Sequence, residues 1–279
     1  MQLQTEWVRY SSGTSVVPAY TARPLAATGP LPAIILIQEI WGVDDHIMDL
    51  AHRFATAGYL VAAPDLYAHG GTRPEALEAS RIATAKRTLD GATPAVWSDP
   101  SAREAAINAL PESERSTTRD ALALLLTPNR PLPQYAADLC ALSGYLRAQP
   151  GCTGRVGSVG YCMGGGLSAL LAARDPDLDA AAIYYGSAPS AGDIPQIRCP
   201  LAGFYGGEDV RITGGVPALE QALRSAGKTF EAHIYPGAPH AFFNDTRPSY
   251  HVDAARDAWA RTLTFFNQHL ASQHLAAGA

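Results

Sequence analysis

Apolar residues in this chain gather into two kinds of run, and the difference between them predicts a sheet covered by helices. Near the N-terminus, Leu3–Tyr10 and Val16–Ala22 alternate apolar and polar positions around Ser11-Ser12-Gly13, the pattern of an antiparallel hairpin at a sheet edge. Further on, Ala33–Ile37 and Leu60–Ala63 are continuously apolar, as strands buried on both faces are, with the helical segment His46–Ala57 between them. The alternation resumes in the second half. Helix Tyr135–Gln149, strand Arg155–Val159, helix Gly165–Ala173, strands Ala180–Tyr184 and Leu201–Tyr205, helix Val216–Ala226, strand Phe230–Tyr235 and helix His251–Leu270 follow in order. Repeated βα units predict a mostly parallel, doubly wound α/β sheet whose functional groups collect at the carboxyl ends of the strands.

Between residues 70 and 131 the alternation lapses. Three helical segments, Pro74–Leu89, Ser101–Ala109 and Ser116–Leu126, are set apart by Gly91, Pro94, Pro100, Pro111 and Pro131. An insertion after the carboxyl end of a strand borders the functional face, which predicts a helical cap over the site. The competing arrangement packs the helices on the sheet edge, away from the site. Either way, residues 1–279 read as a single domain with this insertion.

Composition removes several classes of function. A chain that is 47% hydrophobic and 17% charged, with a net charge of −5, has a large core and no basic footprint for nucleic acid. Met1–Glu6 lacks a basic region leading into an apolar stretch, and no apolar run is long enough to span a bilayer, so a cytoplasmic protein without a membrane partner is expected. The four cysteines, Cys140, Cys152, Cys162 and Cys199, form no C-x-x-C pair, which argues against a zinc site or a disulfide framework. No metal and no cofactor is expected.

The chemistry centres on Val156–Gly166, a β-branched run broken by Gly160-Tyr161-Cys162-Met163-Gly164 and followed by a helix. Small residues two before and two after the central position are what a nucleophile elbow requires, because the turn is strained and its neighbours leave no room for a Cβ. A helix beginning beside Cys162 directs free N–H groups and its positive dipole end at the sulfur. The same string also has the look of a phosphate-cradling turn, and a free cysteine is often an inert buried apolar residue. The glycines do not fall in G-x-G-x-x-G spacing, however, and Tyr185-Gly186-Ser187 offers no carboxylate to a ribose.

A thiol nucleophile needs a base and a group to orient that base. Strand Leu201–Tyr205 leads into Gly206-Gly207-Glu208-Asp209, and strand Phe230–Tyr235 into Pro236-Gly237-Ala238-Pro239-His240, so Asp209 and His240 both sit at strand ends. Each alone is unremarkable, a turn aspartate and a surface histidine. Together, the order Cys162, Asp209, His240 is the nucleophile–acid–histidine order of α/β-hydrolases. Glu39 follows the apolar strand Ala33–Ile37, where its charge would raise the pKa of a nearby thiol and its oxygens accept an S–H bond. The oxyanion hole is assigned to the N–H groups of Ile40 and Met163.

These residues carry a resemblance. Gln38-Glu39-Ile40-Trp41-Gly42, Pro64-Asp65-Leu66-Tyr67, Gly160-Tyr161-Cys162-Met163-Gly164-Gly165, Gly207-Glu208-Asp209 and Gly237-Ala238-Pro239-His240-Ala241-Phe242 resemble the dienelactone hydrolase family of α/β-hydrolases. The likeness runs from about Ala33 to Leu270, apart from the segment before Pro131. It implies an α/β-hydrolase fold and a Cys162–His240–Asp209 triad that hydrolyses a small ester or lactone through a covalent acyl-enzyme. It further implies that Glu39 holds the thiol quiet until substrate displaces it. Trp41, Tyr67 and Phe242 from these motifs, and Trp97 from the insertion, are the expected substrate-binding residues, with Leu122, Leu124, Leu125 and Leu126 as further apolar walls. The archetype grips the carboxylate of dienelactone with two arginines, where this chain has His69 and, after His240, Ala241-Phe242-Phe243-Asn244. Arg73, Arg211 and Arg247 lie on nearby loops. Losing a bidentate contact would cost a carboxylate substrate a few kcal/mol, which turns the expectation toward an uncharged ester or lactone. A non-enzymatic or redox-responsive member of the fold, with Cys162 as a sensing thiol, is the alternative, and a nucleotide-binding oxidoreductase is a weaker third.

Overall fold

In a computed structural model describing residues 2–270, the N-terminal alternation becomes a hairpin of β1 (Leu3–Ser12) and β2 (Ser15–Pro24). Met1 and residues 271–279, the ends of the expected 1–279 domain, lie outside the described residues. The remaining strands are β3 (Leu31–Ile37), β4 (Leu60–Pro64), β5 (Cys152–Tyr161), β6 (Ala180–Tyr184), β7 (Leu201–Gly206) and β8 (Phe230–Tyr235). They form one eight-stranded sheet in the order β1-β2-β4-β3-β5-β6-β7-β8. β2 is antiparallel to both neighbours and every later pairing is parallel.

The continuous apolar runs are explained by helices on both faces. Ala33, Ile35 and Ile37 of β3 point into one core with Leu139 and Leu142 of α5 (Leu132–Arg147) and Leu167 and Leu171 of α6 (Met163–Arg174). The alternate residues Ile34 and Leu36 pack instead with Ile47, Leu50 and Phe54 of α1 (Asp45–Thr56) and Phe265 and Phe266 of α9 (Val252–Leu270). A strand with no water on either side has no place for a polar residue in its alternation. Asp44 starts α1 by accepting the Ile47 N–H at 3.1 Å, as an N-cap aspartate does.

The parallel register sets the strand ends level. Ile37 stands opposite Gly160, Tyr161 opposite Tyr184, Tyr184 opposite Phe204, and Gly206 opposite Tyr235. The loops that follow therefore emerge side by side at one edge, in the position where open α/β sheets bind their ligands.

The segment before α5 contains a 3-10 turn at Glu75–Leu77, α2 (Ala79–Asp90), another 3-10 turn at Pro94–Trp97, α3 (Pro100–Asn108) and α4 (Glu112–Leu125). The single helix expected at Pro74–Leu89 is split, because Glu78 is extended (ψ 146°) and the chain restarts at Ala79. The expected leucine walls are not walls. Leu122 and Leu125, spaced three apart on one helix face, are buried in the core, and Leu124 on the opposite face is exposed. Short α7 (Val210–Thr213) and longer α8 (Val216–Ser225) fill the β7–β8 crossover.

Candidate active site

The buried strand β5 ends at Tyr161, and α6 begins at Met163, so the whole strand-to-helix reversal falls on Cys162. Its backbone has φ 56° and ψ −114°, a region that L-residues avoid at a cost of about 1–3 kcal/mol. The turn closes only because its flanks are glycines. A Cβ on Gly160 would lie 1.8 Å from the Gly164 carbonyl oxygen, and one on Gly164 would lie 2.3 Å from that of Ile37. Among the described residues two other non-glycine residues have positive φ, Tyr185 (39°) after β6 and Ala241 (59°) beside His240. All three lie at the carboxyl edge of the sheet.

Asp209 lies on the loop after β7 and is buried, its N–H bonded to Gly206 O at 3.1 Å. That loop is tied to the one after β8 by Gly207 N–H to Tyr235 O at 2.8 Å and Glu208 N–H to Ala238 O at 3.0 Å. Gly206 permits the approach, since a Cβ there would meet Ala238 O and Pro239 O at 2.5 Å. His240 is thereby placed between acid and thiol, with Nδ1 2.5 Å from Asp209 Oδ2 and Nε2 3.3 Å from Cys162 Sγ. Burial works against a charged imidazole, but the pull of the Cys162 sulfur and the hydrogen bonds that the ring N–H groups donate to Asp209 and Cys162 outweigh it and push the His240 pKa up to about 10.

Glu39 is also at the site, but not in the expected contact. Tyr185 donates its O–H to Oε1 at 3.3 Å, Asn244 donates Nδ2–H to Oε2 at 2.8 Å, and no hydrogen bond joins the carboxylate to Cys162 among the described residues. The sulfur faces His240 instead. The Tyr185 phenol is pushed well above its ordinary pKa by burial first and the Glu39 charge second, so it stays a neutral donor. Its ring stands edge-on to His240 at 5.1 Å. Neither Tyr185 nor Asn244 was picked out by the sequence reading. Their signal was positional: one follows the end of a buried parallel strand and the other comes four residues after His240.

Met163 opens α6, so its N–H has no acceptor within the helix. The close approach of Gly164 to Ile37 and Gln38 brings the loop carrying Ile40 against this first turn, and the Tyr67 O–H anchors that loop by donating to Ile40 O at 2.8 Å. The Ile40 N–H has no acceptor among the described residues. Trp41 is buried beneath Trp97, with ring centroids 6.0 Å apart, and the Arg247 guanidinium lies over both indoles at 5.8 and 5.2 Å. Trp97 itself remains part-exposed. Phe242, expected to face substrate, is fully buried against Tyr184, Tyr185 and Tyr235, because the positive φ of Ala241 turns the chain back into the core just after His240.

Two of the three arginines on nearby loops are already engaged, while Arg211 is exposed and makes no ion pair among the described residues. Arg73 Nε donates to Asp65 Oδ2 at 2.6 Å, and Arg247 bonds Asp90 Oδ1 through Nε at 3.0 Å and Nη2 at 2.5 Å. His69, at the position of an archetypal arginine, contacts both oxygens of fully buried Asp138 at 3.1 Å. Among the described residues no helix is long and apolar enough to cross a membrane.

A parallel sheet in this strand order, with a strained cysteine turn after its fifth strand and an acid and a histidine after the seventh and eighth, defines an α/β-hydrolase fold. Residues 17–270 match the model of the dienelactone hydrolase family. The chain is 36% identical over 261 residues to a Saccharolobus solfataricus protein named "Putative carboxymethylenebutenolidase", covering 93% of this chain and 96% of that one. It is 34% identical over 264 residues to the Escherichia coli K12 protein of the same name, covering 91% and 83%. The crystal structure of a "Putative Dienelactone Hydrolase" from Klebsiella pneumoniae superposes with a TM-score of 0.72 at 31% identity, covering 96% of this chain and all of that one. The chain belongs to the dienelactone hydrolase family, and it is a hydrolase.

Proposed function

We propose that the protein hydrolyses a small uncharged ester or lactone through a thioester formed on Cys162. The observation that carries this reading is the unbroken series of contacts from Asp209 through His240 to the Cys162 sulfur. In the first half-reaction Sγ attacks the substrate carbonyl, and its proton resides on His240 Nε2. The oxyanion is received by the N–H groups of Ile40 and Met163 at the positive end of α6. Collapse breaks the C–O bond to the alcohol, which takes the proton from His240. Water then gives a proton back to Nε2 as it attacks the thioester, and collapse returns the acid and the free thiol. Asp209 holds the ring in one tautomer throughout.

An uncharged substrate is favoured because Arg73 and Arg247 are already committed to Asp65 and Asp90, so gripping a carboxylate with either would require breaking an ion pair, and the remaining candidate, Arg211, is solvent-exposed. The test is a panel of p-nitrophenyl esters and lactones, neutral and carboxylated, assayed with wild type and Cys162→Ala. Turnover should fall by several orders of magnitude in the variant, since removing one member of such a unit disables the whole. Full retention of activity would refute the assignment.

A further inference from the structure

We infer that Asn244 is a positioning residue that keeps the Glu39 carboxylate away from Cys162, so that the thiol is paired with His240 before substrate arrives. This rests on the reading of Cys162 as the reactive thiol and adds to it the device that sets its resting partner.

Glu39 is buried, and a buried carboxylate takes the position in which its lone pairs are satisfied. Two donors compete for it with the S–H of Cys162: the Tyr185 hydroxyl and the Asn244 amide. A thiol is the weakest donor of the three. Asn244 is fully buried, and its orientation is fixed from behind. Its Oδ1 accepts the Thr246 N–H at 3.1 Å and the Thr246 hydroxyl at 2.7 Å, so Nδ2 must face Glu39. Thr246 Oγ1 in turn accepts from Lys86 Nζ of α2 at 3.1 Å. The amide is therefore built to hold a carboxylate.

The ionisable groups around the thiol come from five loops. His240 and Asp209 lie on one side, and Tyr67, Tyr185 and Glu39 surround the other. The phenols of Tyr67 and Tyr185, and of Tyr161 behind Glu39, are kept neutral by burial. Beyond Tyr161, Arg53 pairs with Asp245, and His46 lies 3.5 Å from that same carboxylate. Glu39 is the anion whose position decides how much negative charge the sulfur meets. Freed from Asn244, Glu39 would keep the Tyr185 hydroxyl on Oε1 and leave Oε2 without a donor beside a phenol that also borders Cys162. That oxygen would then be open to the S–H and raise the cost of forming the thiolate.

The test is the pH dependence of Cys162 alkylation by iodoacetamide, followed by peptide mass spectrometry and independent of turnover. Burial pushes Cys140 up to about 11 and Cys199 up to about 12, so neither thiol competes near neutral pH. In Asn244→Leu the alkylation midpoint should rise by about one pH unit, a tenfold lower thiolate fraction below the midpoint. Thr246→Val, at an exposed position that leaves the fold intact, loosens the amide and should shift the midpoint the same way by less. In a Glu39→Gln background Asn244→Leu should have no effect, and Glu39→Gln alone should move the midpoint far less than Asn244→Leu does. An unmoved midpoint in Asn244→Leu and Thr246→Val overturns the inference, as does a shift that persists without the Glu39 charge. Should Asn244→Leu fail to fold, Thr246→Val in the two Glu39 backgrounds decides. The ester panel with Cys162→Ala judges the hydrolytic reading separately.

Discussion

His240 Nε2 stands 3.3 Å from Cys162 Sγ although 78 positions separate the two residues in the chain. The contact makes the ring unusually basic, with a pKa pushed up to about 10 against an ordinary 6.5, and it sets a measurable pH window. A histidine whose folded-state pKa is raised stabilises the fold in full below about 6.5 and loses that contribution as the pH climbs to about 10. NMR titration of the His240 ring should show an imidazolium that persists at pH 8. In Cys162→Ala the titration should move down toward the ordinary range, because the sulfur's charge is the foremost cause that raises it. A ring that titrates near 6.5 in both proteins would contradict the ion pair.

Asp209→Asn keeps the size of the acid but removes its charge and offers the ring a donor in place of an acceptor. The imidazole then turns to the wrong tautomer for proton transfer at Nε2, and kcat should fall by a factor on the order of 10³–10⁴. Combining it with His240→Ala should add almost nothing to the loss from His240→Ala alone. Free-energy losses that simply sum would show that the two side chains act independently.

The elbow makes two opposite predictions about glycine. Gly160→Ala forces a Cβ to within 1.8 Å of a backbone oxygen, and the neighbouring helix cannot yield without moving Cys162. It should destabilise by more than about 3 kcal/mol and abolish activity. Gly144, inside α5, has nothing within 4 Å of its virtual Cβ, so Gly144→Ala should stabilise by about 0.5–1 kcal/mol. Urea unfolding of both variants checks the pair, and equal effects would mean that the elbow is looser than its geometry.

Trp97 sits on Trp41 and under Arg247, at the join between the α2–α4 segment and the loops of the site. If that join sets which acyl or alcohol group fits, Trp97→Ala should change the ranking of kcat/KM across an ester series. The stability cost should stay near 1 kcal/mol, the worth of one aromatic pair and a cation–π contact. A uniform loss across the series that tracks the fall in Tm would make the tryptophan a purely structural residue.

Strand β6 was legible in the sequence to the residue, and β3 and β4 within two, because a strand buried on both faces leaves no polar residue to blur its ends; β8, the half-exposed edge strand, was bounded instead by Pro236-Gly237 after it. Cys162 and Asp209 were legible for a related reason, since each follows a strand whose last residues are buried, whereas His240 was picked out by its place after the edge strand β8 and by the chain order of the three residues. The region from Thr72 to Arg130 was harder. Its helices bury only part of one face each, and whether Leu122 and Leu125 face a pocket or the core depends on what lies above them, which periodicity does not encode. The partners of Glu39 were not legible. The competing donors, Tyr185 and Asn244, are 146 and 205 residues away in the chain, and no local pattern links them to it.

Lys86 and Asp90 of α2 reach across to Asp44, Thr246 and Arg247, on loops that belong to the sheet. The helices between β4 and α5 are consequently not an interchangeable module. A graft of this segment from a relative would arrive without its anchors unless Asp44, Thr246 and Arg247 travelled with it, and the first position disturbed would be Asn244, two residues from the graft's nearest tether. Diversification of such a hydrolase by recombination should therefore succeed at crossover points that keep α2, Asp44 and residues 244–247 from the same parent.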